Sequence, residues 1–128
     1  MKKHILLLLL PLFLAMQCED DITTGFETTY IIDNTTNSDL LLLNDSGSFI
    51  DIPSQSLTTI GSTLNSEANA VAPSEAFVFN TIKLYRNEND NFIYVYEQDP
   101  LEDDLWELDE PTVNRFEYKL IITEDLIN

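Results

Sequence analysis

The side chains with the most obvious capacity for chemistry are carboxylates. Glu97, Asp99, Glu102, Asp103, Asp104, Glu107, Asp109 and Glu110 all fall between positions 97 and 110. A pair of them would suit glycoside hydrolysis, which needs two carboxyls about 5 Å apart for retention, or farther apart for inversion, together with a cleft that holds the sugar. The same oxygens would suit Ca²⁺, a hard cation that takes about six to eight such ligands. Their spacing does not follow the Asp-x-Asp-x-Asp-Gly loop, and Asn87-Glu88-Asn89-Asp90-Asn91 lacks its glycine and its distal glutamate. The segment therefore reads as a solvated acidic loop, with a small glycosidase-like carboxylate enzyme and a calcium-binding module as the alternatives.

Other chemistries are short of residues. His4 is the only histidine and stands in an N-terminal run with the pattern of a cleaved leader; without it, imidazole bases and His-ligated metals have no donor. Cys18 is the only cysteine. Ser46-Gly47-Ser48 lacks the nucleophile-elbow pattern, and glycines at 25, 47 and 61 cannot build a phosphate loop. No catalytic residue, metal ligand or cofactor is assigned. Aromatic side chains on a β-face can stack on sugar rings or anchor a protein partner, but Tyr30, Tyr85, Tyr94, Tyr96 and Tyr118 sit in alternating runs and read as core. Trp106, flanked by acids near a proline, is set apart from them as a candidate exposed contact.

These residues must be positioned by strands. Phe26 to Ile32 and Leu40 to Leu43 are β-branched, aromatic or leucine-rich runs around the turn Asn34–Asp39, and predict a hairpin. Asp45-Ser46-Gly47-Ser48 is a second turn, followed by short strands at Phe49–Ile52 and Leu57–Ile60 on either side of Pro53. Gly61 to Ser74 is small and polar and reads as a long surface loop. Ala76–Tyr85 and Asn91–Glu97 flank the turn Arg86–Asp90, and Phe92-Ile93-Tyr94-Val95-Tyr96, apolar on both faces, is expected to be a central strand covered from two sides. In Phe116–Ile122 the residues Phe116, Tyr118, Leu120 and Ile122 should point inward and Glu117 and Lys119 outward. Asp99-Pro100-Leu101-Glu102 has the pattern of a helix start, with Leu101, Leu105 and Leu108 on one face, so a short helical turn is expected within 99–108. The fold class is all-β: a small antiparallel β-sandwich, with a small β-barrel as the alternative.

The N-terminus carries the most specific pattern. Met1-Lys2-Lys3-His4 is basic, Ile5 to Leu14 is apolar apart from Pro11, and Ala15-Met16-Gln17 leads to Cys18 and the acidic triplet Glu19-Asp20-Asp21. Ten apolar residues are half of the roughly twenty that span a bilayer, but they suit a secretory leader. The arrangement resembles the lipid-attachment signal of bacterial lipoproteins, with Gln17 where that pattern carries a small residue. The resemblance implies diacylglyceryl transfer to Cys18, cleavage before it, and membrane attachment through the lipid. Acids directly after the cysteine resemble the surface-export signal of some Bacteroidota lipoproteins, which implies a role for Glu19, Asp20 and Asp21 in reaching the cell exterior, the periplasmic face being the alternative. The run Phe116 to Leu126 is similar to the closing strand of many small lipoproteins of that phylum.

The resulting organisation is a signal peptide at 1–17, a lipidated tether at 18–25 and one β-rich domain at 26–128. Loss of the leader leaves Lys83, Arg86, Arg115 and Lys119 against all 23 acids, a net charge of −19. That charge repels phosphates, so nucleic acid is excluded as a partner. The functional expectation is a non-catalytic, outer-membrane lipoprotein with no cofactor. Its β-domain would bind a protein or glycan partner or serve a structural role in the envelope.

Overall fold

The computed structural model describes residues 25–128. Cys18, the Glu19–Asp21 triplet and the leader lie outside the described residues.

Eight strands form two four-stranded sheets. One has the order β4-β1-β8-β7 and is built from β1 (Phe26–Asn34), β4 (Ser56–Asn65), β7 (Trp106–Thr112) and β8 (Arg115–Ile122). The other has the order β3-β2-β5-β6, from β2 (Leu40–Leu43), β3 (Phe49–Ile52), β5 (Ile82–Glu88) and β6 (Asn91–Gln98). Neither sheet closes on itself, so the fold is a sandwich rather than a barrel. All pairings are antiparallel except β1 with β8, which run parallel. The two inner faces share one core: Tyr30, Ile32, Leu120 and Ile122 from the first sheet meet Leu40, Leu42, Ile52, Ile82 and Leu84 from the second.

The alternation in β8 is as expected where the strand is deepest, with Leu120 and Ile122 buried in the core. The expected hairpin between β1 and β2 does not form, because the two strands belong to different sheets. Asn34 makes the crossing. Its buried amide donates to the carbonyls of Ser38, Ile52 and Pro53 at 2.9, 3.1 and 3.1 Å, and its Oδ1 accepts from the Thr36 amide and hydroxyl at 3.1 and 2.7 Å. A corner this fully hydrogen-bonded replaces the ladder that a hairpin would supply.

β4 runs to Asn65, well past Ile60, because Gly61 continues the strand. A Cβ there would come within 3.2 Å of Val78, so glycine permits a close approach of the following loop. That loop does not enter a strand at Ala76. A 3₁₀ turn at Pro73–Glu75 instead drops Ala76 and Phe79 into the core, and the strand begins at Ile82. Phe79 meets Tyr30 edge-on at 5.2 Å and stacks on Trp106 at 5.9 Å.

β5 and β6 form the expected pair, through a two-residue turn in which Asn89 (φ 52°) and Asp90 (φ 65°) both take left-handed backbone, the geometry that matches the strand twist. β6, however, is an edge strand and not a covered central one. The helical turn in 99–108 shrinks to one 3₁₀ turn, Asp103–Leu105, and Leu101, Leu105 and Leu108 share no helical face, since Leu108 lies in β7. Acids at 107, 109 and 110 would crowd the negative end of a helix dipole. In a strand, Glu107 lies opposite Lys119, and Pro111 is tolerated on an edge. The final strand stops at Ile122. A helical turn α1 (Glu124–Ile127) follows and buries Ile127 in the core.

Candidate binding face

The two outer faces differ in chemistry. On the first sheet the outer row mixes charged side chains, Glu27 ion-paired to Arg115 beside Lys119 and Glu117, with the exposed Leu57 and Leu64 at the β4 edge. On the second sheet the outward positions include Leu41 and Leu43 on β2, Phe49 on β3, Tyr85 on β5, and Phe92 and Tyr94 on β6. Each alternates with an inward neighbour such as Leu42, Ile50 or Leu84. Four rings form a connected chain across this face: Phe92 stacks on Phe49 at 5.0 Å, Phe49 meets Tyr85 at 5.7 Å, and Tyr85 meets Tyr94 at 5.5 Å. Phe49, Phe92 and Tyr94 remain 42, 53 and 46% exposed, well above what a core ring retains. An apolar patch of connected aromatics on a soluble sheet marks a binding surface more often than scattered exposed residues do.

Polar groups frame the rings. Tyr94 donates its hydroxyl to Glu97, whose other carboxylate oxygen lies 3.7 Å from the Lys83 ammonium. By accepting that hydrogen bond, the Glu97 carboxylate pushes the Tyr94 phenol up to about 12 from its ordinary 10. A separate cleft of about 810 Å³ is lined by Ser38, Asp39, Leu41, Asp51, Arg86 and Asn87 among others and by none of the four rings; there Arg86 is held by Glu88 at 2.6 Å. Backbone geometry builds the strip: a bulge opposite Leu84/Tyr85 turns Val95 and Tyr96 toward the core and leaves Tyr94 and Glu97 facing out.

The sequence-derived candidates fall elsewhere. Trp106 is buried and donates its Nε1–H to Gln98 at 3.1 Å, so the candidate exposed contact is a core residue. Acids on both sides of it belong to the turn before β7 and to the outward positions of the strand, which is why flanking charge misled. Of the tyrosines read as core, Tyr30 is fully buried, Tyr85, Tyr96 and Tyr118 are partly buried, and Tyr94 is exposed. The missed signal was the two-faced apolarity of Phe92–Tyr96, which demands a cover on both sides or leaves one side bare. The 97–110 carboxylates are dispersed into local roles. Asp103 accepts from the Ser74 amide and hydroxyl at 2.8 and 2.6 Å, Glu110 from the Asn114 amide at 3.1 Å, and Asp109 from the Glu110 amide at 2.8 Å. Among the described residues no three Asp, Glu, His or Cys side chains are grouped to hold a metal ion.

No protein-family model, no curated protein and no solved structure matches this chain.

Proposed function

We propose that this chain is a non-catalytic lipoprotein, anchored through lipid on Cys18 and displayed at the cell exterior through Glu19, Asp20 and Asp21, whose β-sandwich binds a neutral glycan on the outer face of the β3-β2-β5-β6 sheet. The observation that carries the reading is the connected cluster Phe92–Phe49–Tyr85–Tyr94 with Glu97 and Lys83 at its border. A pyranose ring has an apolar C–H face that packs on an aromatic ring, and hydroxyls at its rim that seek a carboxylate, an ammonium or a phenol. This strip offers both, side by side. The mature net charge of −19 disfavours uronic or sulfated sugars, whose anions the domain would repel.

Titration calorimetry with neutral and with uronic-acid oligosaccharides tests the reading. The chain should bind a neutral oligosaccharide, and Phe92→Ala with Tyr94→Ala should weaken that binding at least about tenfold, a loss of about 1.4 kcal/mol. Unchanged affinity in the double variant, or a preference for the acidic sugar, contradicts it.

A further inference from the structure

We propose that this chain forms a two-fold dimer in which β4 pairs antiparallel with β4 of a second copy, joining the two β4-β1-β8-β7 sheets into one. The four edge strands among the described residues are not equally protected. β7 carries Glu107, Asp109, Glu110 and Pro111, β3 is four residues long, and β6 carries Glu97. Charge, proline and brevity are among the usual guards against edge pairing. β4 is ten residues long, contains neither charge nor proline, and presents Leu57 and Leu64 at 60 and 74% exposure.

The sequence of β4 is close to a palindrome. In Ser56-Leu57-Thr58-Thr59-Ile60-Gly61-Ser62-Thr63-Leu64-Asn65, a two-fold axis between Ile60 and Gly61 sets Leu57 against Leu64, Thr58 against Thr63 and Thr59 against Ser62. In a regular strand this register would fail, because positions an odd number of residues apart point to opposite faces. The bulge corrects it. Ile31 pairs with Thr59 while Tyr30 pairs with Gly61, so Ile60 is an extra residue and the alternation resets at the axis. Leu57, Thr59, Ser62 and Leu64 then all share the outer face, and Thr58 and Thr63 the inner one. An isologous interface demands such self-complementarity.

Charge bears on where two copies can meet. Two mature copies at −19 each repel, and β4 is the long edge on which they can meet without opposing carboxylates. The nearest outer-face acid on the Leu64 side, Glu27, is neutralised by Arg115. Association should therefore strengthen as salt screens the remaining repulsion.

Cysteine cross-linking of the full chain in its membrane tests the register. Opposed residues place their Cβ atoms about 4.5–5.5 Å apart, close to disulfide reach. Two co-expressed, differently tagged copies, one Thr59→Cys and one Ser62→Cys, should give a mixed disulfide on mild oxidation. Either variant alone, offset by about 10 Å along the strand, should give no more adduct than the unmodified chain. Sedimentation of the detergent-extracted protein supplies the second arm: the wild type should sediment as a dimer favoured by added salt, and Thr59→Asp, an exposed substitution whose melting should be unchanged, as a monomer. Equal adducts from the single variants, a wild type that is monomeric at every soluble concentration, or a dimer that survives Thr59→Asp overturns the proposal.

Discussion

Tyr30 and Tyr94 carry the same hydroxyl, and the fold uses them in opposite ways. Tyr94 faces solvent with its donor aimed at Glu97, whereas Tyr30 is wholly buried and donates to the Val71 carbonyl at 2.8 Å, stitching the long loop to β1. Burial, then the charges of Tyr118, Asp103 and Glu75, push the Tyr30 phenol from 10 up to about 12. The folded chain thus holds a proton that the unfolded chain releases above pH 10. The associated stability is fully present below pH 10 and is lost as pH rises toward 12. Denaturant melts from pH 8 to 12 should show a plateau and then a decline. Tyr30→Phe should make that decline shallower while costing about 1 kcal/mol at neutral pH for the lost hydrogen bond. Equal alkaline slopes in the two proteins would mean that another group controls the transition. Little of this was visible in the residue type, since alternation placed Tyr30 inward but gave no partner for its oxygen.

At the scale of elements, apolar and aromatic runs bounded by turn residues are legible as strands, but which neighbour covers each face is not. β1, β2, β3, β6 and β8 lie where their apolar and alternating runs put them, though β1 and β2 do not pair as the expected hairpin. The Asp-Pro-Leu-Glu helix start at 99–102 predicts a short turn within 99–108, which overlaps only Trp106–Leu108 of β7, and no strand is predicted over the acids and Pro111 that follow. Ala76-Phe77-Val78-Phe79 looked like a strand because four apolar residues in a row satisfy a buried strand and a loop plug equally well. The plug has a direct consequence. Phe79 is buried between Tyr30 and Trp106 while Phe77, two residues earlier, is fully exposed. Phe79→Ala should destabilise the fold by about 3–5 kcal/mol, and Phe77→Ala should change stability by less than about 0.5 kcal/mol. Comparable losses from both would place the loop in a different register against the core. The candidate face is hidden for a different reason: a single sequence shows that both sides of β6 are apolar, but it does not show which side another sheet covers.

At the scale of the whole molecule, the proposed anchor, the sandwich and the aromatic face fit one arrangement. Residues 18–25 reach at most about 28 Å when extended, so a lipid on Cys18 would hold the sandwich within a few nanometres of the membrane surface. Its negative charge would keep it from collapsing onto anionic headgroups. Mass spectrometry of the membrane-extracted chain should find a mature N-terminus at Cys18 carrying diacylglycerol. An unmodified Cys18, or a start elsewhere, would remove the anchor without touching the binding face. That face is the central claim, and NMR of the aromatic side chains during titration with a neutral oligosaccharide tests it most directly. The account predicts shifts confined to Phe49, Tyr85, Phe92 and Tyr94, with Trp106 and Phe79 unmoved; shifts centred on Trp106 and Phe79, or none at saturating sugar, would contradict it.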